Sequence, residues 1–415
     1  MANTFLTNSV VTMEALDVLE NTDDVMVAIN GEYSDQFKFG GAVLGQTLNI
    51  RKPPRYLGRL GQAAQIEAIT ETQVPLTLSY QRGVDTQVSS QNLTLDIDDY
   101  RQRILYPQIV RLSNLIDQDV CALAQGLNNW VGTPGTTPTA LSTYGLAKVK
   151  LDNNACPPED RYAFLNPIAD YTLMDNLKTL FNSVKDISSQ YDTGSMTKSG
   201  TLGMAWRMDQ NIYVQTVGAL GTSTPVVGTA PSNGATTVST TGWQSGASTL
   251  NAGDKFSFIS ASSPVNVVNP QNYQDMGQAQ QFVVTATTSD VSGTLTIPFA
   301  PALYYSGQLQ NVSNQPPVNA AIYVYDTPAA SFATISGKKT PFNLVANKNF
   351  GTLAMVDMPL PGGTDRAYRA ASKKSGKSIR VIRDYVATTD QWIQRLDVLY
   401  GTAVLRQELA CVVGG

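Results

Sequence analysis

The sequence predicts an α+β protein with an inserted all-β module, and three observations carry that expectation. Apolar residues recur at helical spacing over roughly residues 96–130, extended segments lie before it and at the C-terminus, and a long near-chargeless stretch follows it. Between Gln210 and Tyr325 the chain holds four charged residues, Asp254, Lys255, Asp275 and Asp290, while Gly, Ser, Thr and Val dominate. Helical and extended stretches that are segregated rather than alternating point to α+β architecture. At roughly 150 residues per domain, 415 residues predict two or three domains, each large enough for its own core.

Taken in order, residues 1–45 form an acidic N-terminal arm: Glu14, Asp17, Glu20, Asp23, Asp24, Glu32 and Asp35 precede the first basic residue, Lys38. Val10, Val11, Ala15, Val18 and Leu19 fall on one helical face with Asn8 or Ser9 as N-cap, so the arm contains a short amphipathic helix with a negative outer face. Residues 46–95 read as a long, exposed two-stranded hairpin, because Pro53, Pro54 and Pro75 exclude both helix and central strand. A lone hairpin is barely stable in water, and few of these side chains look like core, so it needs a surface to lie against.

A spine-like helix is expected from Asp96 to about Trp130, with Tyr100, Ile104, Leu112, Leu115, Ile116, Val120, Leu123 and Leu127 on one side and a kink at Pro107. About 35 helical residues at 1.5 Å each give a rod of about 50 Å. Arg161-Tyr-Ala-Phe-Leu-Asn-Pro167 then reads as a strand turning into a helix that carries Tyr171, Leu173, Met174, Leu177 and Leu180. Residues 96–215 thus form the first part of an α+β body, and 336–415 the second. Between them, at 216–335, short alternating runs such as DKFSFIS, QFVVTAT and GTLTIPF predict about six strands closed as a sandwich or small barrel. SIRVIRDYV and RLDVLYGTAVLRQELACVV are strand-like, and Arg366, Arg369, Lys373, Lys374, Lys377, Arg380 and Arg383 make a basic segment without an acid.

Composition removes many functions. With no His, the usual general base and metal ligand are missing, and three scattered Cys (121, 156 and 411) form neither a disulfide framework nor a thiolate site. The odd, unpaired Cys count reads as a reducing compartment. The N-terminus has no basic, apolar leader and no run of about 18 apolar residues occurs, so a soluble, unexported chain with no membrane partner is expected. Gly376-Lys377-Ser378 and Gly337-Lys338-Lys339-Thr340 both fail the phosphate-loop pattern. Adjacent carboxylates, such as Asp23 with Asp24 or Asp98 with Asp99, read as solvated surface rather than a catalytic dyad. No enzyme activity, no cofactor and no metal is therefore expected.

Beyond composition, the order of elements and several phrases resemble the major coat proteins of tailed bacteriophages with the Hong Kong 97 fold. RYAFLNPIADY, AGDKFSF, FGTLAMVDMPLP and the closing RLDVLYGTAVLRQELACVVGG are similar to the short-tailed Salmonella phage subfamily, from about residue 97 onward, while arm and hairpin match in pattern only. The resemblance implies an N-arm, an extended hairpin loop, a spine helix, peripheral and axial domains and an inserted telokin-like barrel. It implies a structural protein that assembles, in the host cytoplasm, into hexamers and pentamers of an icosahedral shell. That shell forms as a scaffolded procapsid and expands when double-stranded DNA is packaged.

Implied partners are other copies of the chain, a scaffolding protein, a portal protein, packaged DNA without sequence specificity, and a cement protein in some shells. By the same resemblance, Glu14, Asp17 and Glu20 are expected to receive the scaffold's basic helices, and Arg51, Lys52, Arg55 and Arg59 to pair with a neighbouring copy. The basic segment 366–383 has three readings: contact with DNA, contact with an acidic surface of another copy, or a solvated loop. Lys-to-Asn cross-links, used by some relatives, are not expected. A rival of a different class is an adhesin or surface-layer binding module, drawn from the Ser-, Thr- and Gly-rich β portion.

Overall fold

The computed structural model describes residues 8–22, 28–33, 45–59, 61–89, 101–177, 201–361, 367–371, 377–386, 388 and 391–414. The chain divides into two units that exchange segments: Met1–Ile50, Gln73–Cys121 and Gly351–Leu405 form the first, and Arg51–Thr72, Ala122–Phe350 and Arg406–Gly415 the second.

In the first unit the strand Gln391–Val404 is the organiser. It pairs antiparallel with Ser378–Val386 on one side, with Tyr80–Ser89 on the other, and with Gly351–Val356 at its far end. Ser378–Val386 in turn pairs with Ala367–Ala371. The N-terminal helix is present as expected, at Asn8–Thr22, and packs on those last two strands and on the spine helix. It buries Ala15, Val18 and Leu19 and turns Asp17 outward. The spine helix is fastened to the sheet by Asp119, whose carboxylate accepts two bonds from Arg82 at 2.8 and 2.9 Å and one from the Tyr400 hydroxyl.

Two expectations about this unit are corrected. The helix does not run to Trp130: a π-turn at Arg101–Leu105 leads into the α-helix Tyr106–Cys121, a 3-10 turn at Ala122–Gly126 ends it, and Trp130 lies in a strand. Pro107 sits at the junction where the π-turn passes into the regular helix. Beyond Gly126 the backbone is recruited by the second unit's sheet: Asn129 O accepts from Val412 N, and the Asn129 amide donates to Ala410 O. Residues 96–100 lie outside the described residues.

The hairpin is also shorter and better rooted than expected. Its paired strands are Thr47–Arg51 and Gln73–Thr77, with Pro75 on a two-stranded edge as its missing donor requires. Tyr80–Ser89, expected as hairpin, leaves it for Gln391–Val404. Nor is the hairpin coreless, since Ile50, Leu76 and Leu78 are buried with Ala354, Val356 and Leu405. Period-2 sequence patterns identify a strand but not its partner, so the pairing of Tyr80–Ser89 is set by tertiary structure.

The second unit contains a mixed sheet in the order Trp130–Gly132, Ala410–Gly414, Lys339–Asn347, Arg161–Leu165, Ala205–Met208, with Val214–Thr216 on the start of Lys339–Asn347. The expected strand-to-helix unit is there. Arg161–Leu165 turns at Asn166, whose side-chain oxygen accepts from Ala169 N and caps the helix Pro167–Leu177. A second helix, Leu141–Asn153, was not anticipated, because Tyr144, Ala147 and Leu151 make a sparse stripe broken by Gly145. At the C-terminus Gly414 is required, since a Cβ there would lie 1.4 Å from the Trp130 ring.

The β module is a closed barrel of six strands: Lys255–Ile259, Gln281–Val284, Thr294–Leu303, Ala235–Thr241, Val226–Val227 and Ala321–Val324. Its centre is aromatic. Phe256, Phe258, Phe282 and Phe299 are buried and mutually packed, with Phe282 and Phe299 ring centroids 5.1 Å apart. Two of the module's acids staple its loops: Asp290 accepts from Gly246, Ser248 and Gly293 N–H groups, and Asp275 from Gly277.

Candidate functional site

Two places in the second unit combine polar chemistry with an unusual exposure pattern: the excursion at residues 51–72, here called the arm, and the root of the barrel. Among the described residues of the arm there is no regular strand beyond Arg51 and no fully buried apolar side chain. Its apolar residues point to solvent: Ile66 is 98 % exposed, Ile69 68 %, Tyr56 53 % and Leu57 50 %. Its shape is kept by polar bonds instead. The Glu67 carboxylate accepts from Leu57 N and Gly58 N at 2.9 Å each, and Gly58 supplies the positive φ of that turn. Those donors hold the Glu67 carboxyl below the usual carboxylate range.

All four basic residues singled out in the hairpin sit on this arm. Arg51 pairs with Glu71 across its base at 3.2 Å, Arg55 pairs with Glu408 at 3.1 Å, and Arg59 donates to the carbonyls of Gly61 and Ala63. Lys52 is half-buried near Glu408, Arg406 and Arg55, and burial lowers its pKa against the pull of Glu408. The arm tip also touches the barrel: the Gln308 amide donates to Glu67 Oε2 at 3.1 Å and to Ala68 O at 2.9 Å.

At the barrel root the opposite arrangement holds. Phe256 and Phe258 face the barrel interior, so alternation turns Lys255 and Ser257 outward, yet both are fully buried because the body covers that side. Lys255 Nζ donates to Gln125 O at 2.9 Å and lies 5.0 Å from the Phe342 ring centroid. Burial pulls its pKa down to about 7, with Asp254 opposing. The Asp254 carboxylate collects four donors, Asn251 N, Gly218 N, Gln215 Nε2 and the Tyr325 hydroxyl, and burial still raises its pKa. Gln281 is the third root residue. Its side chain accepts from Trp130 N and Lys150 Nζ at 2.7 Å and donates to Trp130 O.

Of the other singled-out residues, Glu14 is half-buried and Asp17 exposed on the N-terminal helix, while the Glu20 side chain lies outside the described residues. In the basic segment Arg366, Lys373 and Lys374 also lie outside them. Arg369 is exposed, 3.9 Å from Asp357; Lys377 is buried; Arg380 pairs with buried Asp397 at 2.6 Å; Arg383 donates to Gln394. Arg380 and Arg383 thus hold partners within the sheet, and Arg369 lies directly opposite Arg380 in the strand register.

Glu67, Gln281, Gln308 and Glu408 were not visible as important in sequence. Asp254 and Lys255 left one signal, as adjacent charges in a stretch nearly free of charge. Among the described residues no group of three or more His, Cys, Asp or Glu is placed to hold a metal ion.

No family model matches the chain, and no curated protein matches it. Among solved structures it is similar to the capsid of Ralstonia phage GP4, at 6% identity and TM-score 0.47, over 93% of this chain and 86% of that one. It is also similar to a structure of Mycobacterium phage Che8, at 9% identity and TM-score 0.43 over 93% and 89%, and to the holo-SrpI encapsulin complex from Synechococcus elongatus PCC 7942, at 8% and 0.37 over 89% and 82%. Likeness at these identities and TM-scores assigns neither family nor function.

Proposed function

We propose that the chain is the major capsid protein of a tailed bacteriophage, a non-enzymatic subunit with the Hong Kong 97 fold that assembles with its own copies into an icosahedral shell around double-stranded DNA. The observation that carries this reading is the arm. Its four exposed apolar side chains sit on a scaffold held by polar bonds, so it is ordered without a core and its apolar surface is left for another molecule. Burying Ile66 and Ile69 against a neighbour contributes about 1.5–3 kcal/mol each. A contact from an arm of one copy to a different patch of the next is heterologous, the kind that builds rings and closed shells when repeated.

Within this reading the acidic residues Glu14, Asp17 and Glu20 receive a scaffolding protein, and the shell forms as a procapsid that later expands. Arg51, Lys52, Arg55 and Arg59 lie at the neighbour contact, where Arg51 and Arg55 bring carboxylate partners of their own chain with them. Arg369 belongs to a basic segment that meets another copy or the packaged DNA. Portal and cement proteins are further partners of such a shell, and its location is the virion, after assembly in the host cytoplasm.

The test is negative-stain electron microscopy of the chain expressed alone and with the neighbouring reading frames of its source genome. Closed shells, tubes or spirals are expected, and the Ile66→Asp, Ile69→Asp double variant should leave folded subunits that form none. Uniform small particles from the unaltered chain in both preparations would overturn the reading.

A further inference from the structure

The arm leaves the paired hairpin at Arg51 and returns at Thr72, and between these points the Gln308 side chain of the barrel hydrogen-bonds to it. Gln308 lies in the turn that follows the long barrel strand Thr294–Leu303. That turn is fixed to the barrel: Asn311 N donates to Tyr304 O, the Asn311 amide donates to Ala302 O, and the Tyr273 hydroxyl donates to Gln308 O at 3.0 Å. The Gln308 amide is therefore presented from a braced loop. It reaches both Glu67 Oε2 and Ala68 O, and these two residues lie between Ile66 and Ile69 in the chain. Glu67 simultaneously holds the outgoing limb of the arm through Leu57 and Gly58.

We infer that Gln308 of the barrel is a positioning residue for the arm, latching its tip through Glu67 and Ala68 so that the exposed apolar set is presented in one conformation to a second copy of the chain. The latch itself is a property of the single chain; its consequence for assembly rests on the proposed shell function. Without it the arm keeps its anchors near Arg51–Glu71 and Arg55–Glu408 but loses its hold at the far end. Ordering the arm before contact reduces the conformational entropy lost on docking.

Limited trypsin digestion of the full chain tests this, because Arg55 and Arg59 are cleavable bonds on the arm while Lys52 is protected by Pro53. Cleavage of a transiently opened segment follows the population of its open form. Gln308→Ala should raise the cleavage rate at these sites about tenfold, the factor that loss of a net hydrogen bond gives. Gln308→Glu should raise it further by placing a carboxylate against Glu67. Gln308→Met, which keeps most of the side chain's volume but donates nothing, should match Gln308→Ala, whereas a barrel merely destabilised by lost packing would regain protection.

Equal cleavage in wild type and all three variants, with the barrel's circular dichroism intact, overturns the latch. If Gln308→Ala unfolds the barrel, Gln308→Met supplies the same readout with the loop's packing kept. Light scattering then reads the consequence: released arms should assemble several-fold more slowly, and faster cleavage with unchanged assembly overturns the positioning role. Failure of the unaltered chain to form any shell overturns the proposed function and leaves the latch standing on the digestion result.

Discussion

The barrel root and the arm invert each other's chemistry. At the root, ionisable side chains are fully buried; at the arm, large apolar side chains are exposed. The root tolerates its buried carboxylate because four donors from the same chain converge on Asp254, and buried polar groups are stable only when satisfied. The arm tolerates exposed Ile66 and Ile69 because its fold does not depend on them. The contrast teaches where each region's free energy comes from: the root's comes from buried groups whose partners lie in the same chain, the arm's from polar bonds that leave its apolar side chains in water.

The comparison is broken most strongly at the root. Asp254→Ala should destabilise the second unit by about 3–5 kcal/mol, since it strands buried donors beside a buried Lys, and chemical denaturation of the full chain measures it. A variant within experimental error of wild type would mean that the root is not satisfied internally.

Next in size is the pH dependence of Lys255. Its folded pKa of about 7 lies below the ordinary lysine value, so between roughly pH 7 and 10 the unfolded chain binds the extra proton and stability rises with pH. Below that window both states are protonated and the slope vanishes. The rise is at most about 1.4 kcal/mol per pH unit, moderated by Asp254. Lys255→Met should flatten it, as read from denaturation midpoints at pH 7 and 9.

Smaller effects are expected on the arm. Arg55→Ala removes a half-exposed pair with Glu408 and should cost about 0–1 kcal/mol, screened further in high salt. Ile66→Ser should change subunit stability by no more than about 0.5 kcal/mol, as surface substitutions usually do. A loss of several kcal/mol there, seen in the same denaturation assay, would show that Ile66 is part of a core and erase the contrast.

Much of the fold was legible because it is written in periodicity. The helix at Asn8–Thr22, the strand and helix around Asn166, the six-stranded module and the C-terminal strands follow patterns of period 3.6 or 2 that side-chain burial enforces. The errors came where partner choice decided. Tyr80–Ser89 has the alternation of a hairpin strand, but nothing in it names Gln391–Val404 as its neighbour. Trp130 continues a helical spacing, yet the edge of the strand Ala410–Gly414 takes its backbone. The site was less legible still: Arg51, Arg55 and Arg59 were found as a cluster, whereas Glu67, Gln308 and Glu408 are ordinary polar residues far apart in the chain.

By itself the sequence determined most of the helical and extended segments, that the middle of the chain is a β module, and that no His is available for catalysis or metal binding, because these depend on local pattern and composition. Tertiary structure alone decided which strands pair, which charges are buried and which apolar residues stay in water. Lys255 and Ile66 show why: each follows its own strand or loop normally, and its burial or exposure is set by what a distant part of the chain places over it.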